Sequence, residues 1–175
     1  MQEPEVSLRI AIKYIQDSET SEDVCVSIDG AHIKTKDKVH FDLTGFLQEN
    51  GYTMLNGSSE CWQGRYQSPH HSQQIIISST PGVGDVIITL KDGRTLYIES
   101  KKFKSGNSAE YPAMREAIGQ LMTNCPDCDN IVPVVAVPYS TKSEELARKW
   151  SQNKRVQNAG IHFILVSDDG HIGYI

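Results

Sequence analysis

Two acids and a base in residues 84–101 are spaced as single-metal phosphodiester chemistry requires. Asp85 opens an apolar run that ends at Leu90, Asp92-Gly93 supplies a turn, and Glu99 and Lys101 close a second apolar run that begins at Thr95. If Lys91, Asp92 and Gly93 form the loop, with Gly93 left-handed, Leu90 faces Arg94 and Asp85 faces Glu99. A strict two-residue Asp-Gly loop would instead pair Leu90 with Thr95 and send the two acids to opposite faces. The chemistry prefers the first register. Directly opposed side chains have Cβ atoms about 4.5–5.5 Å apart, so two ionised carboxylates there repel unless a proton or a cation lies between them. A hard divalent ion with oxygen ligands resolves the clash. Strand alternation sets Tyr97, Glu99 and Lys101 on one face, with Leu96, Ile98 and Ser100 on the other.

The elements that must position this cluster are legible in the surrounding pattern. Residues 73–79 form a β-branched run, and 86–90 with 95–101 form the hairpin. Residues 109–123 carry Met114, Ala117, Ile118, Leu121 and Met122 at helical spacing. The run 131–137 lacks alternation and reads as a strand buried on both faces. Residues 143–155 form a charged helix with Leu146, Ala147 and Trp150 on one stripe, and 161–166 form another buried strand. Before the hairpin, 42–50 reads as a short helix stopped by Gly51. The order is helix, three strands, helix, strand, then a further helix and strand: an α/β fold with a mixed sheet.

With its Asp, its Glu-x-Lys and this order of elements, the chain resembles the PD-(D/E)XK nuclease superfamily, the restriction-endonuclease-like fold, over roughly residues 42–166. Pro81-Gly82-Val83-Gly84 stands where that family reaches its Asp through a Pro- or Gly-rich turn, although the literal Pro-Asp dipeptide is absent. The resemblance implies an αβββαβ core and a Mg²⁺- or Mn²⁺-dependent endonuclease. Asp85, Glu99 and the backbone carbonyl of Ser100 would hold the metal, and Lys101 would orient water or stabilise charge on the phosphate. Gln120, one turn after Glu116 on the helix following the Glu-x-Lys strand, takes a place where several nuclease families carry a Gln at the site. The position four residues on is Asn124, not the Tyr of the RecB-like pattern. An acid on the first core helix is often a further metal ligand in the superfamily. Glu49 and Asp42 are the candidates on the 42–50 helix, and Asp42 is also a natural N-cap.

The first 41 residues lie outside the motif. Residues 4–16 place Leu8, Ala11, Ile12 and Ile15 on a helical stripe, and 24–28 with 31–35 flank Asp29-Gly30 as a hairpin. They read as an accessory N-terminal embellishment on a core spanning 42–175, the whole forming one domain, since about 40 residues rarely hold a core unaided.

Composition narrows the function classes. The apolar share of 38% is enough for one core, and no run approaches the ~20 apolar residues of a membrane span. No signal peptide opens the chain, and four cysteines without a framework point to the reducing cytoplasm. A net charge of −5 argues against non-specific coating of nucleic acid, which phosphate neutralisation dominates. A nuclease needs only a local positive strip, and Lys102, Lys104 and Arg115 beside Lys101 would supply it. DNA is favoured as the substrate and a homodimer would make a double-strand cut. The alternatives are an RNA- or tRNA-cleaving toxin domain, or a non-catalytic binding or assembly module on the same fold. Cys125 and Cys128 have half-zinc-site spacing but fall between a helix end and a strand, where turn cysteines are the plainer reading. His70-His71 has no companion at ligand spacing and reads as loop.

Overall fold

A computed structural model describes residues 1–55, 61–103 and 109–175. They form a mixed α/β molecule with six helices, a nine-stranded mixed sheet and a separate two-stranded ribbon. The sheet strands are β1 (Val24–Ser27), β4 (Thr53–Leu55), β5 (Gly64–Gln67), β6 (Gln74–Ser78), β7 (Val86–Thr89), β8 (Thr95–Ser100), β9 (Ile131–Pro138), β10 (His162–Val166) and β11 (Ile172–Tyr174). Their spatial order is β11-β10-β9-β8-β7-β1-β6-β5-β4. Strands β8, β9 and β10 are parallel, while β7 runs antiparallel to both β8 and β1.

The β7–β8 hairpin adopts the register that brings the two acids opposite each other. Val86 pairs with Ile98 and Thr89 with Thr95. At the loop, the Leu90 amide donates to the Arg94 carbonyl at 2.7 Å, and Gly93 has φ +86°. That left-handed residue lets a three-residue connection close without strain, so Asp85 lies opposite Glu99.

Helices cover both faces of the sheet. On one face α1 (Glu3–Gln16) packs against β1, β7, β8, β9 and β10, meeting Val24, Val26, Val86, Ile98, Val134 and Ile164 in one apolar cluster. On the other, α4 (Glu110–Asn124) and α5 (Thr141–Ser151) cover Tyr97, Val135, Val137, Phe163 and Leu165. The odd and even residues of β8 and β9 go to opposite layers, which is why β9 reads as an uninterrupted apolar run.

The N-terminal segment differs from its sequence expectation. Helix α1 is present, but it is buried almost all round: Val6, Leu8, Ile10, Ala11 and Ile15 are all within 1% of full burial. Strand β1 does not form a hairpin with residues 31–35. It lies inside the sheet, parallel to β6 and antiparallel to β7. Residues Gly30–Ile33 instead form a helical turn, α2, because the Asp29 carboxylate accepts from the Ala31 amide at 2.9 Å and caps it. The next residues form the ribbon, β2 (Lys34–Thr35) against β3 (Lys38–Val39). Helix α3 (Leu43–Glu49) is capped by Asp42, which accepts from the Gly45 amide at 3.0 Å. Residues 28–79 therefore leave the sheet after β1, build β4, β5 and β6 on its far side, and return to β7. The expected 143–155 helix is interrupted: α5 ends at Ser151 and Asn153 caps a short α6 (Lys154–Asn158).

Candidate active site

The site forms where β7 begins and β8 ends. Ser27 on β1 donates its amide to the Asp85 carbonyl at 2.9 Å, which fixes the Asp85 backbone to the neighbouring strand. The Asp85 carboxylate accepts from the Ser100 amide at 2.7 Å, which fixes its side chain to β8. Ser100 is itself immobilised, fully buried and with its hydroxyl 2.9 Å from that of Ser7 on α1. Gly84 has a packing reason for its identity. A Cβ there would lie 2.9 Å from the Tyr97 ring, so only glycine lets the chain enter Asp85 across that ring.

Glu99 is only 3% exposed, and Lys101 is nearly as buried. Both carboxyls are held above the ordinary carboxylate range, first because burial strips their hydration. For Glu99 the facing Asp85 charge adds to that rise; for Asp85 the nearby Lys101 ammonium and the Ser100 amide oppose it. Each carboxyl thus resists ionisation while the other is charged, and the two titrate as a pair.

Lys101 is positioned by two helices. Its Nζ lies 3.6 Å from the Glu3 carboxylate on α1 and 3.9 Å from that of Glu116 on α4. Glu3 also lies 3.6 Å from His32 Nδ1 and accepts from the Lys102 amide at 3.4 Å. Sequence reasoning missed Glu3. Its signal was ordinary, an acid in the first turn of a helix where the dipole favours one, and the helix that carries it was read as accessory.

A cleft of about 450 Å³ opens over the pair and is lined by Ser27, Asp29, Gly82, Asp85, Glu99, Gln120 and Asn124 among others. Gln120 is among the lining residues, and its Oε1 is buried without a hydrogen-bond partner. The Tyr97 hydroxyl beneath the site is likewise unpartnered. Its burial, and then the Glu99 carboxylate beside it, push that phenol's pKa up.

Other expected residues lie elsewhere. Glu49 is exposed at the end of α3 and lines neither this cleft nor the small adjoining one beside Glu3. Asp42 is occupied as the α3 cap. The first-helix acid that reaches the pair is Glu3, because α1 and not α3 packs across β7 and β8. Lys102 extends its Nζ to the Gln2 side chain at 3.2 Å, and Arg115 stacks over Tyr111 at 5.6 Å on the exposed side of α4. Lys104 lies outside the described residues. Cys125 caps α4 and Cys128 follows in the turn to β9; both are free thiols.

Among the described residues, no group of three or more His, Cys, Asp or Glu side chains is arranged to hold a metal. The residues lining the cleft include three carboxylates, Asp29, Asp85 and Glu99, oxygen donors of the kind that suits a hard cation which keeps part of its water shell. No helix among those residues is long and apolar enough to cross a membrane. No family model matches the chain, and no curated protein or solved structure does either.

Proposed function

We propose that the chain is a metal-dependent nuclease that hydrolyses phosphodiester bonds in DNA. The observation that carries this reading is the facing pair of carboxyls, half-buried Asp85 and buried Glu99, with buried Lys101 directly after the end of β8. A scaffold has no use for two acids held face to face in a largely desolvated site, since each raises the cost of ionising the other. The order α1, β1, β7, β8, α4, β9 fits the αβββαβ core of the restriction-endonuclease-like superfamily once residues 28–79 are treated as an excursion from it.

The residues present fit a divalent ion. Asp85 and Glu99, with the main-chain carbonyl of Ser100, would hold Mg²⁺ or Mn²⁺, which when bound neutralises the pair, polarises the scissile phosphate and acidifies water. The chain's own groups do the rest. The Ser100 amide holds the Asp85 carboxylate against β8, beside that of Glu99. Lys101, held back by Glu3 and Glu116, presents its ammonium to charge growing on the phosphate oxygens. The unpartnered Gln120 Oε1 is an acceptor for one proton of an attacking water and would orient it.

Supercoiled plasmid and total RNA, each incubated with Mg²⁺, Mn²⁺ or a chelator, test the reading. The parent should nick or cut plasmid only with metal, and Glu99→Ala should not cut at all. Calorimetry should find Mn²⁺ binding in the parent that the variant lacks. Preferential loss of RNA would make the chain an RNA-cleaving toxin domain instead. No cutting and no metal binding under any condition would leave a binding module.

A further inference from the structure

We infer that the ribbon β2–β3 is an arm that docks in the groove of duplex DNA and leads it to the cleft; this rests on the nuclease reading above and names its substrate as double-stranded. The ribbon carries Lys34, Lys36 and Lys38 against one acid, Asp37, in a chain whose net charge is −5. Every residue from 34 to 40 is exposed, including Val39 at 59%. The ribbon is nonetheless anchored. Ile33 at its root is buried, and the His40 amide donates to the Ile33 carbonyl at 2.8 Å.

Pairing sets the lysines on different sides. Lys34 lies opposite Val39 on one face, Lys38 opposite Thr35 on the other, and Lys36 occupies the tip at φ +54°. Positive charge on both faces and at the end suits an element lying between two walls of phosphate. The shape agrees: a turn and two residue pairs project roughly 10 Å, and the B-form major groove, about 12 Å wide and 8.5 Å deep, admits a two-stranded ribbon. A-form RNA has a major groove too narrow for one. Single strands are held by aromatic stacking, and residues 34–39 contain no aromatic side chain. The root of the ribbon also adjoins the site. Asp29 and Gly30, at the start of α2, line the cleft with Asp85, and His32 lies 3.6 Å from Glu3.

Fluorescence anisotropy of the full chain in EDTA, with a labelled duplex and the matching single strand over a salt series, tests the arm. The triple variant K34Q/K36Q/K38Q should bind a duplex of about 20 base pairs roughly ten- to a hundredfold more weakly at about 0.1 M NaCl, with a log-log salt slope shallower by about 3. Its single-strand affinity should fall less. Its Mn²⁺ affinity by calorimetry should equal the parent's, showing an intact fold and site. Equal duplex affinity and slope, or an equal loss on single strands, overturns the arm. If that happens while the parent still cuts plasmid, the nuclease reading survives alone. If the parent binds no Mn²⁺ and cuts nothing while the variant still loses duplex affinity, the arm stands and the nuclease reading falls.

Discussion

At the scale of single residues, the site carries an electrostatic load that the rest of the fold sustains. Asp85 and Glu99 both have folded pKa values above those of an unfolded chain, with Glu99 pushed up to about 8. The native state therefore binds protons that the unfolded state releases, and the pair costs stability as pH rises from the ordinary carboxylate range, near 4, towards 8. Below that window the cost is absent. The metal-free parent should lose melting temperature between pH 5 and pH 8, and Glu99→Gln should lose less, ending more stable than the parent at pH 8. Saturating Mg²⁺ should restore the parent and do little for the variant. Thermal unfolding at the two pH values checks this; identical pH profiles for parent and variant would remove the charge conflict on which the proposed metal site depends. The two acids and the lysine were legible because strand alternation and turn chemistry are local rules. Glu3 was not, because nothing within α1 says that its first turn ends beside a lysine almost a hundred residues away.

At the scale of elements, the decisive placement is that of α1. A helix with apolar residues at 6, 8, 10, 11, 12 and 15 is too apolar for one stripe, and a helix apolar nearly all round belongs inside. Leu8, fully buried against the sheet, should cost about 2–5 kcal/mol when truncated to alanine. For a chain of this size that lowers the melting temperature by roughly 5–15 °C. An accessory helix would lose far less, so a loss below about 1 kcal/mol in urea titration would contradict the core role. The neighbouring misreading has a local cause. Asp29-Gly30 between two β-branched runs is a hairpin signal, but the same Asp is a helix cap, and the choice fell to the cap once β1 was claimed by β6 and β7.

At the scale of the whole molecule, two apolar layers share one sheet. Trp62 packs on the layer that holds α1, and Trp150 on the layer that holds α4 and α5. Because β8 and β9 give alternate residues to both layers, neither can melt and leave the other a partner. Urea unfolding followed by fluorescence in Trp62→Phe and in Trp150→Phe should coincide, within each variant, with loss of far-ultraviolet circular dichroism. Separated midpoints would divide the chain into two cooperative units. The net charge of −5 also acts at this scale, since it repels nucleic acid everywhere except where lysines are concentrated.

The sequence by itself determined that residues 86–101 form a hairpin turning at Asp92-Gly93, narrowed its register to two, and marked the helices and strands between residues 109 and 166 apart from the break at Gln152, because each follows from periodicity and turn chemistry within a few residues; the structure chose the register that faces Asp85 to Glu99. Only the tertiary structure decided which helix lies across the site, that β1 is central, and that Glu3 and not Glu49 approaches the pair. Those outcomes depend on which apolar surfaces cover each other, a competition among segments distant in the chain that no local pattern encodes.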